Sequence, residues 1–467
     1  MPRLMRCKYC GTLQDEPKGA KICIQCGGEL VFEGKVTPTT NTYIKAQLEL
    51  DQVAAPADQI VDRHLIITVE TPDAVPHDEQ APTVTGREPL NFVAVLDVSG
   101  SMGGSKIRSA TEAVRQAVQR LQDGDYFSLV TFATDVRCPL ASKRVDAGFR
   151  RVIHSSLQEI RAGGQTALCG GLEMGIEQAL AHTQRTNLVL VLSDGQANVG
   201  ETDVEAIGRR AIEARGRGIT VSTLGVGHDY NEGLMAEIAI DGGGRFYHIA
   251  SAAQIAAYLS GELGEMASLA ARDATITLNL PAGTGIQPFS TAYLVQAHTL
   301  VLGDIPLSTT LEVVVRLLLP PQPAGSRLSI DGELRYMSPA DNALLTPLNK
   351  VTVRYDEAKQ FVLDTGAVKP IMRRVLGQMQ ATGVLSTARA ATRSFDDARQ
   401  QSELQMATMR KYASLIGEDR EVESMLAESQ DVLGIMAKPA SSPRAKAATS
   451  AAFKRQRGTK AFGDDTT

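Results

Sequence analysis

The sequence predicts a protein of the α/β class, built round one doubly wound, Rossmann-like domain with smaller β, α and cysteine-rich parts on its flanks. Three observations carry this. Between residues 91 and 266 short unbroken apolar runs alternate with amphipathic stretches, as in a sheet covered by helices on both faces. On either side of that stretch the apolar pattern changes to period two. Beyond residue 366 a long Ala-, Gln-, Met- and Arg-rich segment reads as helix.

The elements follow in order. Residues 1–30 hold a cysteine cluster, and residues 40–88 contain strand-like runs at Tyr43 to Leu50 and Arg63 to Val69, with a Pro-, Asp- and Thr-rich loop from Thr71 to Pro89. The central domain, 89–267, takes strands at 91–97, 126–132, 187–193, 219–226 and 245–249. Its first helix is fixed by Ile107, Ala110, Ala113, Val114, Ala117, Val118 and Leu121, which share one face over residues 105–121. Further helices fit 148–160, 168–183, 203–217, 232–240 and 252–266. Alternating strands at 274–280, 309–315, 328–330 and 350–353 then predict a β-sandwich over 268–365, which the strands of 40–88 could join so that the α/β domain is an insertion. Residues 366–436 predict an αα-hairpin broken near Gly417, and 437–467 a disordered basic tail.

Length and composition narrow the function. A chain of 467 residues predicts about three folding units. With 43% hydrophobic and 22% charged residues it is an ordinary globular protein. Aromatics at 4% and no Trp leave few stacking platforms, and a net charge of -5 argues against phosphate-backbone binding. Seven Lys and Arg against two Asp put +5 on the tail and therefore -10 on the remainder. No apolar run reaches the roughly 18 to 20 residues that span a bilayer, and the N-terminus meets a Cys before any signal h-region, so a cytoplasmic protein without a membrane partner is expected.

Six cysteines divide into a cluster and two outliers. Cys7-Lys8-Tyr9-Cys10 and Cys23-Ile24-Gln25-Cys26 are CxxC knuckles, each followed by Gly. Two such turns supply the four soft thiolates of a tetrahedral zinc, and a closed set of four leaves no open position, so the site would be structural. Redox dithiols or an iron-sulfur centre are the competing readings. The cluster resembles the zinc ribbon family over residues 5–30, and with few basic residues nearby that likeness implies a protein-docking module. Cys138 and Cys169 lie in apolar surroundings and read as core.

The first strand of the central domain ends in Asp97-Val98-Ser99-Gly100-Ser101-Met102, a DxSxS pattern at the carboxyl edge of a parallel sheet, where open α/β folds place ligands. Thr166 and Asp194 stand at comparable loop and strand ends. Two carboxylates and three hydroxyls, without thiol or imidazole, suit a hard cation such as Mg2+. A strand-end Asp followed by Ser and Gly can also be no more than a helix N-cap. Taken with Pro89-Leu90-Asn91, Asp125-Tyr126-Phe127-Ser128 and Gly225 to Asn231, the set resembles the von Willebrand factor type A (VWA) family over about residues 88–266. The resemblance implies a metal-ion-dependent adhesion site (MIDAS) in which Ser99, Ser101 and Thr166 ligate Mg2+ (or Mn2+/Ca2+) directly, with Asp97 and Asp194 acting directly or through water. It also implies a partner protein that supplies an Asp or Glu to complete the ion's shell, selected by loops at Met102 to Lys106, Thr134 to Val136 and Gln196 to Asp203.

The function expected is thus a non-enzymatic protein-binding scaffold or adaptor, with no catalytic residue. A Mg-dependent phosphohydrolase of the haloacid dehalogenase type needs a second acid two residues after the nucleophile, and Ser99 stands there. No GxxxxGK[ST], HExxH or GxSxG motif occurs, and His228 reads as a loop residue. A nucleic-acid-associated adaptor using the ribbon and the basic tail is the other alternative. Thr449, Ser450 and Thr459 amid the tail's cations are candidate kinase targets, Thr459 foremost.

Overall fold

The computed structural model describes residues 4–7, 13–15, 30–32, 39–40, 43–74, 89–184, 186–194, 197–227, 230–249, 254–290, 293–339, 342–357, 359, 365–436 and 443–457. Strands β1 (Leu4–Cys7), β2 (Leu13–Asp15) and β3 (Leu30–Phe32) form a small antiparallel sheet. They are followed by β4 (Thr39–Thr40), β5 (Lys45–Leu50), β6 (Ala54–Pro56) and β7 (Val61–Glu70). The central domain runs β8 (Leu90–Asp97), α1 (Ser105–Arg120), β9 (Tyr126–Phe132), β10 (Val136–Arg144), α2 (Ala147–Glu159), α3 (Leu168–Ala181), β11 (Thr186–Ser193), α4 (Val204–Gly216), β12 (Thr220–Val226), α5 (Glu232–Asp241), β13 (Gly243–Ile249) and α6 (Ile255–Ala267). After it come β14 (Leu269–Asn279), β15 (Gly285–Pro288), β16 (Leu294–Gln296), β17 (Thr299–Pro306), β18 (Thr310–Leu319), β19 (Arg327–Met337) and β20 (Ala343–Asp356). The chain continues through α7 (Thr365–Arg393), α8 (Phe395–Ser414), α9 (Arg420–Met436) and α10 (Pro443–Arg457).

The central sheet has the order β10-β9-β8-β11-β12-β13 and is parallel except for β10. Every residue of β8 is buried, because both faces are covered: Phe92, Ala94 and Leu96 pack into one core with α1, α2 and α6, while Val93 and Val95 pack into the other. That explains the unbroken apolar run in place of alternation. Helix α3 lies so close to the sheet that a Cβ on Gly175 would sit 2.5 Å from a Val95 methyl. Strand β10 is an addition to the five strands read from the sequence. It is an antiparallel edge strand with register shifts and Pro139, tolerable only at an edge, and its mixed exposure hides it from apolar-run criteria. Cys169 is buried as expected, whereas Cys138 on that edge strand is only half-buried.

Strands from both sides of the α/β domain pair with each other. β7 pairs with β18 over ten residue pairs, from Val61 opposite Leu319 to Glu70 opposite Thr310, in the sheet β15-β18-β7-β5. A larger sheet, β16-β17-β14-β19-β20-β4 with β6 on β20, shares a core with it. Leu65, Ile67 and Val69 of β7 face that core, and Ile66 faces a separate one formed with Met372, Val375, Leu376 and Met379 of α7. Arg374 of α7 reaches Glu49, Glu312 and Thr68 on the same sheet, which fixes helix to strands.

Two expectations about the C-terminal third need correction. Residues 366–436 hold three helices, not an αα-hairpin with one break. The extra break is at Ser394, whose side chain accepts a bond from Asp397 N at the start of α8, with Asp396 and Asp397 in the first turn. The tail is not wholly disordered either, since residues 443–457 form α10, which packs against β13, α5 and α7. Phe453 meets Phe246 edge-on at 6.4 Å, and Lys446 is fully buried. Thr449 is buried and bonded to Ala445 O, and Ser450 lies against His248 N, so neither hydroxyl is presented to a kinase. Thr459 lies outside the described residues.

Candidate metal centre

Four chain segments converge at the carboxyl edge of the central sheet. β8 ends at Asp97, and the chain stays attached to β9 for one residue more, through Val98 N to Phe132 O at 2.8 Å. It then makes a short 3-10 turn, Gly100–Met102, which the buried Met102 side chain anchors in the core. Asp97 Oδ1 accepts from Ser99 N at 2.8 Å, so the carboxylate shapes the turn that carries both serines. Its Oδ2 accepts from the Ser193 hydroxyl at the end of β11. Ser99 and Ser101 Oγ lie 3.1 Å apart, and Ser101 donates to Asp194 Oδ1 at 2.7 Å. The other Asp194 oxygen is paired with Lys106 of α1.

Thr166 approaches from the loop before α3. Its amide donates to Asn198 Oδ1 at 2.8 Å, and its carbonyl accepts from Asn198 and Val199 N–H, so the loop after β11 clamps it. The loop itself is tied to the serine turn by Gly100 N to Gly164 O at 3.0 Å and Gly163 N to Val98 O at 2.8 Å. Gly164 is required there: φ is +87°, and a Cβ would stand 2.7 Å from Thr134 Oγ1.

Asp97 and Asp194 are fully buried, Ser99 and Thr166 nearly so, and Ser101 is exposed. Burial pushes the Asp97 carboxyl above its ordinary value, against the lowering effect of its bonds to Ser193 and Ser99. Oxygen-only donors, two carboxylates in a largely dry recess and an ammonium already drawn to one of them match what a hard cation needs. Among the described residues no group of three or more His, Cys, Asp or Glu is placed to hold a metal ion, and the donors gathered here are two carboxylates with hydroxyls beside them.

All five residues singled out from the sequence therefore lie on the segments that meet here. Ser193, Lys106, Asn198 and Thr134 are additions. Ser193 has a sequence signal, a polar residue closing the apolar run of β11, while Asn198 and Thr134 act through backbone contacts that no motif encodes. A groove of about 760 Å³ opens beside the site, lined by Thr134, Asp135, Arg137, Glu159, Arg161 and Gly164 among others. Of the cysteine cluster, Cys7 ends β1, and Cys10, Cys23 and Cys26 lie outside the described residues, as do Gln196 and His228.

Residues 91–260 match the family model of the von Willebrand factor type A domain, and this part of the chain is a VWA domain. Among curated proteins, the chain is 30% identical over 187 residues to the uncharacterized protein YfbK of Escherichia coli (strain K12), covering 39% of this chain and 32% of that one. It is 30% identical over 168 residues to the inter-alpha-trypsin inhibitor heavy chain H3 of Mus musculus, covering 33% of this chain and 18% of that one. The match thus spans about a third or less of these relatives. The structure of a von Willebrand factor type A protein from Catenulispora acidiphila superposes with TM-score 0.60 at 16% identity, over 92% of this chain and 99% of that chain. The ArnB paralog VWA2 from Sulfolobus acidocaldarius gives TM-score 0.54 at 16% identity, over 89% and 99%. At such identity the likeness is one of fold alone. No helix among the described residues is long and apolar enough to cross a membrane.

Proposed function

We propose that the VWA domain is a divalent-cation-dependent protein-binding module in a non-enzymatic, cytoplasmic scaffold or adaptor. Asp97, Ser99, Ser101, Thr166 and Asp194 would hold Mg2+, or Mn2+ or Ca2+ in its place, as a MIDAS. The observation that carries the reading is the linkage of Asp97, Ser99, Ser101 and Asp194 by hydrogen bonds in one recess at the ligand-binding edge of the sheet. An ion bound there would offer excess positive charge and an open coordination position to a partner's carboxylate. The chain's own residues orient the donors: Asp97 holds the serine turn, Ser193 holds Asp97, and Asn198 holds the Thr166 backbone. The neighbouring groove, with two arginines and two acids on its wall, gives the partner's flanking residues a polar surface to read.

The N-terminal Cys7, Cys10, Cys23 and Cys26 complete the proposal as a structural Zn2+ ribbon that docks protein. The nucleic-acid alternative loses ground, because α10 uses three of the tail's cations internally: Arg444 on Asp431, Lys446 on Glu232, and Arg455 on Gly377 O and Gln380. The test is affinity capture on the full chain with Mg2+, with EDTA, and on Asp97→Ala. A set of proteins retained only by wild type with Mg2+ is expected, and an identical set under all three conditions refutes the reading. Metal analysis should return about one zinc per chain, lost in Cys7→Ser with Cys10→Ser.

A further inference from the structure

We infer that Lys106 is the resident counter-cation of the MIDAS, and that a divalent ion has to displace it from Asp194 to bind; this rests on the metal reading above. Lys106 is the second residue of α1, and its ammonium pairs with Asp194 Oδ2. The Asp194 side chain is wholly buried and that of Lys106 is 27% exposed, so the cation reaches inward from the rim. With Ser101 on Oδ1 at 2.7 Å, both Asp194 oxygens are engaged. The second carboxylate is held differently: the donors on Asp97 are the Ser99 amide and the Ser193 hydroxyl, both neutral.

The ammonium also lies beside a second part of the fold, at ordinary contact distance. Gly227, after β12, has φ +79°, and a Cβ there would lie 3.5 Å from both Cε and Nζ of Lys106. The lysine terminus therefore lies between Asp194 and the Gly227 position. Charge arithmetic sets the consequence. Two carboxylates and one ammonium leave the recess at -1, which tolerates the metal-free state. A dication entering beside a fixed ammonium meets like charge within a few ångströms in a water-poor recess, where such repulsion is strong. The four-carbon stem and partial exposure let Lys106 swing to solvent, so the repulsion is relieved at the expense of its pair with Asp194. Lys106 thus trades stability of the ion-free domain against ion affinity.

The test uses the full chain as wild type, Lys106→Met, Lys106→Arg and Asp97→Ala, with Mg2+ titrated by calorimetry and melting followed with and without the ion. Lys106→Met should bind Mg2+ more tightly by roughly tenfold or more, since the competing charge is gone. Lys106→Arg keeps the charge and should stay near wild type, and Asp97→Ala should not bind. Metal-free Lys106→Met should melt below wild type, with Mg2+ closing the gap. Should Lys106→Met not fold without the ion, Lys106→Gln takes its place. Ion binding by the folded, uncharged variant that is equal to or weaker than wild type overturns the inference. Binding by the uncharged variant alone would uphold Lys106 as counter-cation while removing the native metal reading, and no binding by any folded form overturns both.

Discussion

Two of the places where the VWA domain buries charge are built on opposite principles. At the carboxyl edge, Asp97 is held by neutral donors and Asp194 by the Ser101 hydroxyl and one part-exposed lysine, so two carboxylates face a single cation. Where α5 meets α10, the compensating cation has no exposure at all: the fully buried Lys446 sits between Tyr230 O and Glu232 Oε2, over the Tyr230 ring at 4.0 Å. The contrast teaches that burial of a carboxylate does not by itself mark a site. What distinguishes the site is that its charges are answered by hydroxyls, an amide and a partly exposed lysine, which an ion can outbid.

The largest expected effect falls at the Lys446 end. Lys446→Met removes the buried ammonium, takes from Tyr230 O its charged donor and leaves Glu232 without that counter-charge. Breaking a buried pair on one side typically costs about 3–5 kcal/mol. Urea unfolding should show a loss of that order, with Mg2+ binding little changed in the folded fraction. A loss below about 1 kcal/mol would mean that the two ends do not differ as described.

The next effect is a pH dependence. Burial, then the neighbouring Asp241, raise Glu237 to about 7 in spite of Arg389 and Arg393, with Glu205 adding to the rise. In the unfolded chain it titrates near 4.5, so between about 4.5 and 7 the folded state holds the extra proton and stability falls as pH rises. The loss should amount to about 3 kcal/mol, and Glu237→Gln should reduce it, leaving the smaller share of Asp241, which burial also raises. An unchanged pH profile in Glu237→Gln would assign the dependence elsewhere.

The sequence made the site end far more legible than the Lys446 end, for a physical reason. Asp97, Ser99 and Ser101 share five consecutive positions, Asp194 directly follows an apolar strand and Thr166 lies in the short loop that leads into a helix, so local pattern locates them. Lys446 is 214 residues from Glu232, and the composition of α10, rich in Ala, Lys and Arg, is that of a solvated extension. Nothing local shows that Ala445, Ala452 and Phe453 would be covered by α5, α7 and β13. β7 is an intermediate case: period-two patterns on both sides of the α/β region suggest that the flanking strands come together, but its register with β18, some 250 residues on, has no local signal. Strand β10 escaped because an edge strand carries Pro139 and charges where a central strand carries Val and Leu.

The smallest predicted effect has the opposite sign, which makes it the sharpest probe of the comparison. Asp97→Asn removes a charge that burial disfavours while keeping the shape. The amide oxygen can still accept from Ser99 N, and the amide NH2 can donate to the Ser193 hydroxyl, which serves either role. The folded carboxyl is shifted upward, so above the unfolded value its ionised form subtracts from stability, and the neutral isostere escapes that loss. Metal-free Asp97→Asn should therefore be more stable than wild type by about 0.5–2 kcal/mol at neutral pH, the range common where functional sites hold unfavourable groups. Mg2+ should then stabilise wild type and leave the variant unmoved. If metal-free Asp97→Asn instead loses stability, Asp97 belongs with Lys446 as structural charge, and the difference between the two ends of the domain disappears.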